Sequence, residues 1–254
     1  MREGSRLRAA FFRPDDERAT EAAELIESLD ADPVSDPMLA VEPTGSVPRS
    51  DADYVILTSK TGVELAADAD WDPDGATVCA IGRPTADVLE AAGYTVDVIP
   101  EEYSSTGLVA ALDNAVDGER VEVARSDHGS AVLTDGLEAA GAYVHETILY
   151  RLVRPEGAGD SAELAASGDL DVALFTSSLT VTHFLAAADE RGIRRAAVDG
   201  LNAAVVGTIG EPTRATAENA GIEVDVVPDT ADFEVLAATA IENAAPNARD
   251  DCTD

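Results

Sequence analysis

Ile81-Gly82-Arg83-Pro84-Thr85, followed by Gly93, Val96-Asp97-Val98 and Pro100, returns later in the chain as Ile209-Gly210-Glu211-Pro212-Thr213, Gly221, Val224-Asp225-Val226 and Pro228. The copies keep a constant offset of 128 residues, from Gly82 to Gly210 through Pro100 to Pro228, and Leu108 and Leu236 keep it too. Upstream, Leu57-Thr58-Ser59 matches Phe175-Thr176-Ser177. A fainter echo joins Phe12-Arg13-Pro14-Asp15 to Ala124-Arg125-Ser126-Asp127, each a strand end that opens a helix. Self-similarity over such a span marks two copies of one structural unit.

Around the repeat, apolar runs rich in Val and Ala at 7–12, 54–57, 77–81, 95–99, 120–124, 172–175, 203–206 and 223–227 read as strands. Segments of helical period, such as 15–30, 84–92 and 180–191, lie between most of them. Strands alternating with helices predict an α/β fold with parallel sheet covered on both faces. The copies are not in plain tandem. A β-like segment at 34–41 follows the first helix among Pro33, Pro37 and Pro43, and a second at 147–153 precedes Pro155. Two such crossovers suit a nested layout. Residues 1–33 with 157–245 would form one domain, 45–145 the other, 34–44 and 146–156 the linker strands, and 246–254 a flexible tail.

Charge narrows the function classes. Asp and Glu number 50 against 17 Lys and Arg, a net charge of −33. A nucleic-acid partner needs a basic stripe, and none is visible. Regular apolar segments along almost the whole chain argue against disorder. An acidic coat of this size suits a salt-loaded cytosol, where a Debye length of about 3 Å in about 1 M salt screens self-repulsion. Cys79 and Cys252 form no disulfide framework, and no run is long and apolar enough for a membrane span or a signal peptide. The expectation is a cytoplasmic protein without nucleic-acid or membrane partners, and nothing calls for more than a monomer.

Strong catalytic signatures are absent: no P-loop, no G-x-G-x-x-G, no G-x-S-x-G, and no metal spacing among His128, His145 and His183. No cofactor or metal is expected. What remains is a set of small polar residues at strand ends, where open parallel sheets bind ligands. Ser59, Lys60 and Thr61 follow one strand, Ser177 and Ser178 its repeat, and Thr85 and Thr213 the turns at Gly82 and Gly210. Each is a natural helix cap. Present in both copies, they also suit the binding of carboxylates at helix N-termini. Arg13 and Arg125 stand at equivalent strand ends, where a guanidinium can grip a carboxylate or simply pair with a surface acid. Tyr150 lies on the second crossover, either packed or able to donate a proton.

These motifs together resemble the uroporphyrinogen-III synthase family. The resemblance rests on Thr58-Ser59 and Phe175-Thr176-Ser177-Ser178, Ile-Gly-x-x-Thr at 81–85 and 209–213, Gly93 and Gly221, and Tyr103-Ser104 with Leu108. It extends to Arg125 and to Gly141-Ala142-Tyr143-Val144 followed by Tyr150. It implies two flavodoxin-like parallel-sheet domains joined by a two-stranded β linker, with the active site between them. The implied substrate is hydroxymethylbilane, a linear tetrapyrrole with eight carboxylates. Its ring D is inverted, through a spiro-pyrrolenine, as the macrocycle closes and water is lost, without cofactor or metal. By position, Tyr150 becomes the acid that assists hydroxyl departure, and Thr85, Thr213, Ser59, Ser177 and Ser178 hold carboxylates. Where the family places Ala after Thr, this chain has Ala86 but Arg214. That change alters local packing or adds a cation. Two other readings stand beside it: a two-domain binding or sensor protein that closes on a small anion, and a tandem receiver-like protein.

Overall fold

The structure, a computed structural model, describes residues 6–249, with side chains to Ala245. The end of the expected tail, with Cys252, lies outside the described residues. In chain order the first elements are β1 (Leu7–Phe11), α1 (Glu17–Ser28), β2 (Ala31–Ser35), β3 (Ala40–Pro43), β4 (Tyr54–Leu57), α2 (Lys60–Asp68), β5 (Thr77–Ala80), α3 (Arg83–Ala91) and α4 (Ser105–Leu112). There follow β6 (Arg120–Ser126), α5 (Ala131–Ala139), β7 (Tyr143–Val153), α6 (Asp160–Ala166), β8 (Val172–Phe175) and α7 (Ser178–Glu190). The last are α8 (Arg194–Leu201), β9 (Val205–Thr208), α9 (Glu211–Asn219) and α10 (Phe233–Arg249).

Two compact units form: a discontinuous one of Met1–Ala40 with Val153–Asp254, and an inserted one of Val41–Leu152. The discontinuous unit holds a four-stranded sheet in the order β2-β1-β8-β9, every pair parallel. The inserted unit holds a five-stranded sheet in the order β3-β7-β6-β4-β5, with the pairs from β7 to β5 parallel. Both sheets carry apolar cores on both faces because neighbouring strand residues point opposite ways. Phe11 packs with Ile26 and Phe233, whereas Phe12 packs with Phe175 and Phe184 on the other side. Phe12 stacks on Phe175 at 4.4 Å between ring centres. Ile56 and Leu57 divide the inserted unit in the same way.

Several expected elements differ. The runs at 95–99 and 223–227 are not strands; each makes a single parallel bridge, Cys79 with Val98 and Gly207 with Val226. Their aspartates explain this. Asp97 accepts the Val78 N–H and Asp225 the Val206 N–H, both at 2.8 Å, so a side chain takes the place of the next ladder carbonyl. The strand expected at 203–206 begins two residues later, because the amides of Ala203 and Ala204 bond to Gly200 at the end of α8. The β-like segment at 34–41 divides into the end of β2 and the start of β3. Pro33 is tolerated because β2 is an edge strand. Asp36 makes the last bond to β1, its N–H to the Phe11 carbonyl at 3.2 Å, and its buried carboxylate accepts the N–H groups of Gly159 and Ser161, each at 2.9 Å, and the Ser161 hydroxyl.

Among the described residues no helix is long and apolar enough to cross a membrane. Cys79 is fully buried in β5, and burial, aided by the Asp97 charge, pushes its thiol up to about 12. At pH 8 it should carry about 10³-fold less thiolate than an ordinary cysteine. In a Cys252→Ser background, a disulfide dye is expected to label the native protein far more slowly than the urea-unfolded one. Equal rates would mean that Cys79 is accessible.

Candidate functional site

Parallel strands deliver their following loops to one edge of the sheet, so the hydroxyl-bearing residues gather there in each unit. In the inserted unit this edge carries Ser59, Lys60, Gly82, Thr85 and Arg125, with Tyr150 on β7. Ser59 caps α2 by accepting the Gly62 N–H at 3.0 Å, and it also accepts the Tyr150 phenol at 3.0 Å. Tyr150 is only 7% exposed, packed with Leu57 and Val63. The phenol and the α2 cap are thus one hydrogen-bonded pair joining residues 91 apart in sequence. Lys60, at the first position of α2, is exposed and has no carboxylate partner among the described residues.

The two Ile-Gly turns are near-copies. Gly82 and Gly210 are the N-caps of α3 and α9, with φ −179° in each, Pro in the first turn and no side-chain cap. The amides of Gly82 and Arg83, and of Gly210 and Glu211, find no acceptor among the described residues. Thr85 and Thr213 are each 4% exposed, and neither hydroxyl is engaged among the described residues. Each unit therefore offers an open helix N-terminus with a nearby hydroxyl, where a carboxylate finds free N–H donors and a partial positive charge. The glycines differ in one respect. A Cβ on Gly82 would stand 2.9 Å from both Cβ and Cγ of Tyr103, whereas one on Gly210 would meet only Pro212 Cδ at 3.9 Å.

The discontinuous unit contributes Arg13, Ser177, Ser178, Gly210 and Thr213. Ser177 caps α7 through a reciprocal box with Thr180. Ser178 donates to the Pro212 carbonyl at 3.0 Å, tying the loops after β8 and β9 into one block. Arg13 lies 4.2 Å above the centre of the Phe233 ring, and among the described residues it has no carboxylate in salt-bridge reach and no acceptor for its buried Nε. Burial, with the nearby Arg18 charge adding to it, pulls its pKa below the usual arginine value, yet a guanidinium stays charged at any working pH. An unpaired cation is conspicuous in a chain with 50 acids.

The two arginines at equivalent strand ends diverge. Arg125 is 7% exposed, ion-paired with Glu146 and donating to the Ser130 carbonyl at 2.6 Å. Its charge is met within its own unit, so it is held as a structural tie in this conformation. Arg214 is likewise occupied, bonded to Glu218 at 2.7 Å along its own helix. His128, His145 and His183 pair with Asp127, Glu122 and the Met38 carbonyl. No cluster of metal-ligating side chains occurs among the described residues. A cavity of about 450 Å³ lined by Arg49, Arg120, Tyr143 and His145 lies at the starts of β6 and β7, the far end from these loops. It contains none of the expected site residues. Sequence reasoning could name Ser59 and Tyr150 but not join them, and it gave Tyr103 no role.

Comparison with known proteins follows the same line. The family described as uroporphyrinogen-III synthase HemD matches residues 20–238. A putative uroporphyrinogen-III synthase of Methanothermobacter thermautotrophicus is 33% identical over 229 residues, 84% of this chain and 89% of the relative. A uroporphyrinogen-III synthase of Synechococcus elongatus is 32% identical over 143 residues, 53% of this chain and 54% of its own. Among solved structures, a mutant uroporphyrinogen III synthase from Thermus thermophilus superposes with a TM-score of 0.65 at 18% identity, covering 95% of this chain and 99% of that one. The Helicobacter pylori uroporphyrinogen-III synthetase gives 0.61 at 14% identity, covering 96% and 100%. At such identities the two structures speak for the fold alone.

Proposed function

The chain belongs to the uroporphyrinogen-III synthase family, and from that premise we propose that it closes hydroxymethylbilane to uroporphyrinogen III, inverting ring D and releasing water. The observation that carries this reading is the duplicated open helix N-terminus. The turns at Gly82 and Gly210 leave amides unmet, beside the unengaged hydroxyls of Thr85 and Thr213. A substrate with eight carboxylates suits such paired donors. Arg13 and Lys60 add two cations without ion pairs among the described residues. Ser177 and Ser178 hold the loops of the discontinuous unit in place and bring their hydroxyls to the same edge. Arg125 positions the β6 end through Glu146 and Ser130.

In the reaction, Tyr150 gives its phenolic proton to the departing hydroxyl, which leaves as water. The phenol releases its hydrogen bond to Ser59 Oγ to reach the hydroxyl, and the Ser59 hydroxyl then turns to donate to the phenolate. Ring D attacks the cation left on the substrate with its substituted carbon; the spiro intermediate breaks its old bond to the bridging methylene and re-forms it at ring D's free α carbon, and the proton lost there as the pyrrole regains aromaticity returns to the phenolate. Most of the task is positioning, since enforced geometry can be worth about 7–11 kcal/mol of a barrier. We also assign 34–44 and 146–156 as the linker strands, a reading supported by the Thr44 N–H bonding to Leu149 O at 2.9 Å. The direct test is to supply hydroxymethylbilane and resolve the isomers. Type III product is expected. Type I alone would reduce the protein to an anion-binding module.

The same proposal places the enzyme in a salt-rich cytoplasm as a monomer, a reading supported by its net charge of −33. Repulsive acid pairs outnumber attractive ones, so screening should stabilise the fold. Thermal unfolding is expected to move upward as KCl rises from about 0.1 M to about 1 M and the Debye length falls from about 10 Å to about 3 Å. A midpoint independent of salt would remove the halophilic assignment.

A further inference from the structure

Resting on that reading of the substrate, we propose that Tyr103 is a substrate-binding residue whose ring forms a platform for one pyrrole of the tetrapyrrole, beside the open turn of α3 that holds that ring's carboxylates. Backbone conformation does not require glycine at position 82, since φ −179° is open to any residue. Crowding does: a Cβ there would lie 2.9 Å from Tyr103 Cβ and Cγ. The glycine thus lets the tyrosine rest directly against the helix cap. Yet the side chain remains 59% exposed. An aromatic packed beside a glycine cap with much of its surface open is unusual in a chain with only 4% aromatic residues.

The repeat separates this feature from the needs of the fold. Pro100 and Pro228, then Leu108 and Leu236, fix the alignment on both sides. Within it, Ser104 caps α4 and Asp232 accepts the amides of Glu234 and Val235 at the start of α10, so both copies build the same turn. Tyr103, however, falls opposite Ala231, and the space beside Gly210 stays open. The discontinuous unit builds the equivalent turn with Ala231 in that place, so the turn itself does not call for an aromatic. Offset stacking of two π-systems is worth about 0.5–1.5 kcal/mol beyond area burial. A pyrrole flanked by two acid side chains offers a flat face for the ring and carboxylates for the Gly82 and Arg83 amides.

Steady-state kinetics with hydroxymethylbilane, resolving the isomers, test the platform. Tyr103→Ala should raise KM about 3- to 10-fold with kcat changed far less, the span that such a stacking energy predicts. Tyr103→Phe should restore most of the lost affinity, because the ring face does the work. Gly82→Ala, which displaces the ring without removing it, should raise KM in the same direction. Tyr143→Ala, at a still more exposed tyrosine outside the site, serves as control and should match the parent. Unfolding midpoints close to the parent exclude a folding defect. If the parent makes type III product but Tyr103→Ala and Gly82→Ala both keep its KM, the platform is wrong and the enzyme assignment stands. If the parent makes no type III product, both fall.

Discussion

The Tyr150→Phe variant is expected to turn over about 10²-fold more slowly than the parent, at the low end of what a positioned general acid contributes. The structure separates this effect from stability. Only one hydrogen bond disappears, the phenol to Ser59 Oγ at 3.0 Å, and the ring keeps its packing against Leu57 and Leu149. A single bond of that kind is worth about 1 kcal/mol, so the unfolding midpoint should fall by only a few degrees. Ser59→Ala probes the same pair from the other side. It loses the α2 cap, at about 1 kcal/mol, and frees the phenol to wander. Its turnover should lie between those of the parent and Tyr150→Phe. Initial rates of type III formation, set beside thermal unfolding, provide the check. Undiminished turnover in Tyr150→Phe would strip the phenol of its acid role.

The largest loss of stability away from the aromatic core is expected from Asp36→Ala. This carboxylate is 5% exposed and satisfies two amides and a hydroxyl on the far side of the inserted unit's sequence. Removing it leaves the Gly159 and Ser161 amides and the fully buried Ser161 hydroxyl without an acceptor, at a cost of about 3 kcal/mol. For a chain of this length that corresponds to about 10 °C in the unfolding midpoint. Asp36→Asn keeps one acceptor oxygen but turns a donor toward donors, so it should recover only part of the loss. A midpoint unchanged in Asp36→Ala would show that water meets those groups instead.

What the chain displayed in its sequence was the duplication, and with it the alternation of strand and helix. The Ile-Gly turns at 82 and 210 adopt almost the same backbone, as their shared Pro and Thr suggest. Gly93 and Gly221 end α3 and α9 with φ of 93° and 85°, a conformation glycine takes without steric cost. Side-chain choices within the frame were not legible. Nothing in Val-Asp-Val announces that Asp97 or Asp225 will replace a ladder carbonyl. Arg125 reads equally as a carboxylate grip or as one half of an ion pair because, among 50 acids, no pattern singles out Glu146 as its partner. Likewise the loop at Asp36 reads as part of a strand until the α6 amides it serves are known. Of the hydroxyls expected to cap helices, Ser59 and Ser177 do so, whereas Thr85 and Thr213 fall at the third position of helices whose caps are Gly82 and Gly210, a register that the sequence does not mark.

The discontinuous unit has a consequence for birth on the ribosome. Strand β1 leaves the exit tunnel early, but its neighbour β8 is more than 160 residues behind. At about 5–20 residues per second the wait lasts about 10 s or longer. Through that interval the inserted unit, contiguous in sequence, can condense by itself, while β1, α1 and the turn between them carry Phe11, Phe12 and Ile26 uncovered by β8 and the elements that follow it. Nascent chains stalled before residue 172 enters the sheet should therefore be protease-resistant over the inserted unit and bound by holding chaperones at residues 7–40.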